Sequence, residues 1–181
     1  MYNRANFRDI SAQKPREMSR HEWENSRTPE VSVAFYNYQS NKAKRFLIKF
    51  NNQYRDGVSE VADAFAEGPA IHAHHIFPKH QYLEISGYLE NLIALTPSQH
   101  FTKAHPNGNT QRVDYEYQEI LLKAKAGIIE DNLRNSHEPI YEFDKFIHVL
   151  GVGFDDTYNV SENDFSSAMR IIISHYMKIN L

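Results

Sequence analysis

Two breakers, Gly68-Pro69 and Thr96-Pro97, frame the middle of this 181-residue chain, and what lies between them suits a hairpin. A Gly-Pro step ends a preceding helix, because proline removes a donor and restricts the residue before it. The run Ala70 to Phe77 starts directly after the first breaker, and Leu92 to Leu95 is a short apolar run stopped by the second, so both suit short strands. Thr96 is a good helix cap and Pro97 suits a first helical position, which predicts a helix over Ser98 to His105. The resulting order is strand, loop, strand, helix.

The flanks read as helices. Ala43, Phe46, Leu47 and Phe50 recur at helical spacing, and Val58, Val61, Ala62 and Phe65 predict a second helix before Gly68. After the polar break Pro106-Asn107-Gly108-Asn109, a longer helix is expected from about Val113 to Leu133, with Tyr117, Ile120, Leu121, Ala124, Ile128 and Ile129 as its apolar face. Glu138 to Lys145 is a candidate for a further helix, and Gly151-Val152-Gly153 marks a turn. Ser161 and Asp164 form a capping signal for a terminal helix carrying Phe165, Met169, Ile172, Ile173 and Tyr176. Residues 1–30 are polar and interrupted by Pro15 and Pro29, which predicts an irregular or partly helical arm. The fold class expected is α+β in one domain, residues 1–181, with a mostly helical region 1–66, a central region 67–110 and a helical region 111–181.

Composition narrows the chemistry. With 41% hydrophobic and 24% charged residues the chain is expected to fold rather than stay disordered. No apolar run approaches the roughly 20 residues of a membrane span, and the first residues lack the hydrophobic core of a signal peptide, so a soluble cytoplasmic protein with no membrane partner is expected. The absence of cysteine excludes disulfides, thiol nucleophiles and thiolate zinc sites, leaving His, Asp, Glu or Asn to hold any metal. A net charge of −3 does not advertise a nucleic-acid binder, but the average hides an asymmetry. From Val31 to Arg55 there are five basic residues, among them Lys42, Lys44, Arg45 and Lys49, and no acid. That segment is either a phosphate-contacting face or a solvated helix surface beside an aromatic stripe. From Glu138 to Asp164 the balance reverses, seven acids against Lys145 alone.

Six of the ten histidines (His72, His74, His75, His80, His100, His105) fall within 34 residues, where even spreading would place about two. On a strand His72 and His74 share one face and His75 takes the other, so neighbouring imidazoles can do different jobs. A following helix could return His100 to the same metal. Neutral imidazole is a common metal ligand and also a base suited to neutral pH. Hydrolysis of a phosphodiester needs both parts, a base to activate water and a cation to stabilise charge on the phosphate.

The string His74-His75-Ile76-Phe77-Pro78, then Glu90-Asn91-Leu92-Ile93-Ala94-Leu95, then His100, resembles the motif of HNH endonucleases, the ββα-metal nucleases that include restriction, homing and colicin enzymes. The likeness covers about a fifth of the chain. It implies a ββα-metal core within residues 67–110, with mostly helical additions on either side. By the same resemblance His75 is the general base, His74 and His100 are ligands of one divalent ion, and Asn91 pins the inter-strand loop and orients the base. Mg²⁺ or Mn²⁺ would serve in action, and Zn²⁺ or Ni²⁺ could be the ion bound by so imidazole-rich a site. DNA is the implied partner, with the chain working as a homodimer or alongside a separate recognition subunit. A restriction or other defence role is the expected setting.

Two departures from the family pattern stand out. Relatives with a third histidine ligand place it four residues after the first on the helix, where this chain has Ala104 and then His105. Five residues turn about 500° on an ideal helix, leaving His105 some 140° from His100, so it shares the metal only if the helix ends or tightens. Otherwise it touches the scissile phosphate or caps the helix. The paired Cys-x-x-Cys sites that brace many relatives are also missing, so flanking helices must supply that support. His72 is a possible phosphate contact or an ordinary polar residue, and Lys79 in the inter-strand loop is either a DNA contact or solvated charge. Two other functions are compatible with the residues: a non-catalytic metal- or nucleic-acid-binding module, and a secreted toxin nuclease domain, which the acidic C-terminal stretch disfavours.

Overall fold

The computed structural model describes residues 33–105 and 113–179. The arm at 1–30 and the break at 106–109 lie outside the described residues. A mostly helical α+β arrangement surrounds a two-stranded antiparallel sheet. Helix α1 (Val33–Tyr54) buries Ser40, Ala43, Leu47 and Asn51, one stripe at spacings of three and four residues, against both strands. Strand β1 (His72–His75) pairs with β2 (Leu92–Leu95), His72 opposite Leu95 and His75 opposite Leu92. The second strand has the bounds expected from its apolar run, and the first is shorter than Ala70 to Phe77.

Thr96 caps the helix that follows β2, as the Thr-Pro step predicts. Its hydroxyl accepts from Gln99 N at 3.2 Å, and Gln99 Oε1 accepts from Thr96 N at 3.0 Å, a reciprocal capping box. The helix α2 (Pro97–Gln99) passes at once into a π-turn, His100–Ala104, and stops at His105.

The second N-terminal helix does not form: residues 58–66 run in turns and bends. Their polar groups are used elsewhere. Glu60 N donates to Ala94 O at 3.0 Å while Glu60 Oε2 accepts from Ala94 N at 2.6 Å, closing the outer edge of β2. Gln99 Nε2 donates to Val61 O at 2.9 Å, and Thr96 Oγ1 donates to Phe65 O at 2.7 Å. A helix would have withdrawn these backbone groups from the sheet, so bonds to β2 and α2 outweigh the apolar periodicity.

Helix α3 (Tyr115–Asn135), capped by Asp114, is rolled relative to expectation. Its buried face includes Gln118, Leu122 and Lys125, whereas Ile120 is 48% exposed. Polar partners decide the roll. Lys125 Nζ lies 3.0 Å from both oxygens of Glu60 and 3.2 Å from Tyr141 Oη, and Arg55 Nη1 reaches Glu60 Oε1 at 2.8 Å. Gln118 donates to Ile76 O at 2.7 Å and accepts from the Tyr176 hydroxyl at 2.7 Å, tying β1 to the last helix.

Helix α4 (Phe143–Phe154) starts later than the Glu138 candidate and runs through the glycines expected to turn. A Cβ on Gly153 would sit 2.2 Å from the Phe77 ring, so this glycine serves close packing rather than reversal. The chain leaves the helix at Asp155, φ 52°. Helix α5 (Phe165–Ile179) is the expected terminal helix, but Asp164 rather than Ser161 caps it, its Oδ1 accepting from Ser167 N at 2.9 Å. No helix among the described residues is long and apolar enough to cross a membrane.

Lys125→Met would leave the Glu60 carboxylate buried with Arg55 as its one charged partner. Urea unfolding is expected to show a loss of about 3–5 kcal/mol, largely restored in Glu60→Gln/Lys125→Met, where the only charge left unpaired is the partly exposed Arg55.

Candidate metal centre

His74 on β1, His100 at the start of the π-turn and His105 just after it come together, each offering a ring nitrogen within 4.8 Å of the others. Their centroids lie 5.4 Å (His74–His100), 4.9 Å (His74–His105) and 4.6 Å (His100–His105) apart, at interplanar angles of 79°, 74° and 82°. Rings so nearly perpendicular do not stack, and their edges can share one point between them. His105 therefore joins the group, which its spacing allowed only if the helix ended or tightened, and here the coil widens and then ends. Bonding from i to i+5 widens the coil, bringing residues five apart closer to one face, and the helix then ends at His105 (φ −126°, ψ 77°).

His72 does not join them. Its ring stacks on His100, centroids 4.5 Å apart and 11° from parallel, with the edge of Phe101 against both. It supports a ring of the trio from behind.

His75 points to the other face of β1 and is buried. Its Nε2 is 2.9 Å from Ser86 O and 3.1 Å from Ser40 Oγ. A carbonyl can only accept, so Nε2 carries the proton and Nδ1 keeps its lone pair. Asn91 anchors the loop that supplies this carbonyl. Its Oδ1 accepts from Phe77 N at 2.8 Å, and its Nδ2 donates to Phe77 O at 3.2 Å and Ile85 O at 3.3 Å. Ser40 and Ser86 were not singled out from sequence. Ser40 had a signal: it continues the buried stripe of α1 with a hydroxyl where the pattern asks for an apolar group.

Burial, more than any neighbour, keeps these imidazoles neutral. It depresses His75 to about 3, with Lys44 and Lys79 adding repulsion, and His100 to about 4, with His105 next in effect. His74 is held well below its ordinary value by burial and then by His105 and His100, and His105 is lowered by burial and Lys44. Lys44 is itself lowered, first by burial and then by Lys79.

His74, His75, His100 and His105 line one cleft of about 110 Å³ with Lys44. The acid lining it, Asp114, already caps α3 through Tyr117 N at 3.0 Å. Of the other basic residues expected to meet phosphate, Arg45 and Lys49 line an adjoining groove with Lys44, whereas Lys42 and Lys79 line neither cavity. His80 and His137 are exposed, His148 lies against Tyr88, and His175 stacks on Phe154 at 3.7 Å. The carboxylate of Glu90 accepts from Glu142 N at 2.9 Å.

The trio fits a metal ion on two counts. All three donors are imidazole nitrogens kept neutral, the form that ligates. Nδ1 of His100 and Nδ1 of His105 are buried with no hydrogen-bond partner, a costly state that an ion would relieve. Compared with known proteins, the chain matches no family model, no curated protein and no solved structure.

Calorimetric titration with Zn²⁺ is expected to show one ion per chain. His100→Ala and His105→Ala should each weaken it by more than the roughly 10–100-fold typical of losing a supporting group. Deleting Thr102 puts His105 four residues after His100, a spacing an α-helix itself brings to one face, and should preserve binding.

Proposed function

We propose that this chain is a metal-dependent endonuclease of the HNH type, acting on DNA phosphodiester bonds. What carries the reading is the pairing, in one cleft, of a three-histidine ion site with a separate neutral imidazole fixed by a backbone carbonyl. The strand, loop, strand and helix of residues 72–105 then form the ββα-metal core, to which α1 and α3–α5 contribute the support that relatives draw from cysteine-bound zinc.

In this reading His75 accepts a proton at Nδ1 from the attacking water, as that oxygen bonds to phosphorus and the bond to the 3′ oxygen breaks. The departing 3′ oxygen takes a proton from solvent water, so the products carry a 5′ phosphate and a 3′ hydroxyl. Ser86 O holds the ring in the tautomer that keeps Nδ1 free, and Asn91 fixes Ser86 through its neighbour Ile85. Lys44, half-buried and paired with no acid among the described residues, holds a non-bridging phosphate oxygen. The divalent ion on His74, His100 and His105, Mg²⁺ or Mn²⁺ in action, supplies positive charge for the phosphate and the departing oxygen. Restriction or another defence task is the setting, with a second copy or a recognition subunit supplying sequence choice.

Nicking of supercoiled plasmid with Mg²⁺ or Mn²⁺ tests this. His75→Ala is expected to lower the rate by about 10²–10⁴-fold while ion binding and circular dichroism stay unchanged. Equal rates would remove His75 from the base role. An ion-loaded protein that binds DNA yet cuts none under any cation would be a binding module instead.

A further inference from the structure

Beside the metal cleft lies a second cavity of about 900 Å³ between α1 and β1, and the two share Lys44 and His100 in their linings. Its α1 wall carries Lys44, Arg45 and Lys49, and Ile48, Ile71 and Ala73 give it apolar surface. Asn52 and Gln53 complete the α1 side, and His72 stands beside His100. No acid lines it, and none of its three cations is ion-paired among the described residues. Ile71 is 55% exposed, a large apolar side chain left to water inside a basic groove.

We propose that this groove binds an unpaired stretch of nucleic-acid strand leading into the metal cleft. A duplex turns its phosphates outward and stacks its bases inward, so it satisfies a basic face but leaves an apolar recess empty. An unpaired strand offers both surfaces at once, phosphates for Lys44, Arg45 and Lys49 and base faces for Ile48, Ile71 and Ala73. The amides of Asn52 and Gln53 present donors and acceptors of the kind that meet base edges. Because Lys44 borders both cavities, a strand lying in the groove delivers its next phosphate to the histidines. This deepens the nuclease reading and rests on it: the substrate class is DNA with unpaired nucleotides next to the scissile bond.

The test uses the full chain in EDTA, with fluorescence anisotropy of a labelled 12-nucleotide DNA strand and of the same sequence as a blunt duplex. The single strand is expected to bind at least about fivefold more tightly, the gain from apolar side-chain surface covered by a base. Arg45→Ala/Lys49→Ala should lower the slope of log affinity against log salt by about 1.4, two phosphate contacts on a single strand. Ile71→Ser should weaken the single strand roughly fivefold and leave the duplex unchanged. Equal affinity for the two forms, or single-strand binding indifferent to Ile71→Ser, overturns the proposal. Binding in EDTA does not depend on cutting. Groove-dependent binding with no cleavage of either plasmid or the single strand in Mg²⁺ or Mn²⁺ sinks the nuclease reading alone, and cleavage with binding insensitive to the groove variants sinks the groove alone.

Discussion

The carboxylate of Glu60 is the contact on which the remaining geometry hangs. With its own backbone amide it closes the outer edge of β2, and from the other side it holds the buried ammonium of Lys125 on α3. Two charges removed from water are tolerable only when each is well bonded, and here Arg55, Tyr141 and the Ala94 amide complete the set. The segment around Glu60 then supplies Ser59, Val61 and Asp63 to the side chain of Gln99. Gln99 closes the capping box immediately before His100, so the position of two candidate ligands traces back through this cap to the buried ion pair.

The site is unusual in its charge. Four imidazoles and Lys44 share a cleft whose one acid among the described residues is committed to a helix cap. Burial keeps the imidazoles neutral, which avoids mutual repulsion and leaves nitrogen lone pairs available. Lys44, though lowered by the same burial, has no acid partner among the described residues. A half-buried cation facing ligand nitrogens suits an anionic visitor, whose charge would offset both the lysine and an incoming ion.

What the sequence revealed depended on how local the cause was. The second strand, the Thr96 cap and the Asp164 cap were legible because each rests on neighbours within a few residues. The segment 58–66, the roll of α3 and the helix through Gly151 and Gly153 were not, since their causes are distant partners: Ala94 for Glu60, Glu60 for Lys125, and Phe77 for Gly153. The imidazole cluster was legible as a set, with His74 and His100 grouped as expected. His105 was legible only as a conditional third ligand, because α-helical arithmetic turns it away unless the helix ends there, and nothing in His100 to Ala104 announces a π-turn.

Helix α1 links the parts of the site that a motif of short strands cannot supply. Its buried stripe sends the Ser40 hydroxyl to His75, one turn later Lys44 enters the metal cleft, and Arg45 and Lys49 continue along the groove. Residues four apart share a helix face, so the group that steadies His75 and the cation lining the histidine cleft move as one rigid body. A shift of α1 on the sheet would therefore displace the His75 support and the Lys44 cation together. Such coupling gives a physical reason for an N-terminal helix so rich in lysine, and free of acids from Val31 to Arg55, in a chain whose net charge is negative.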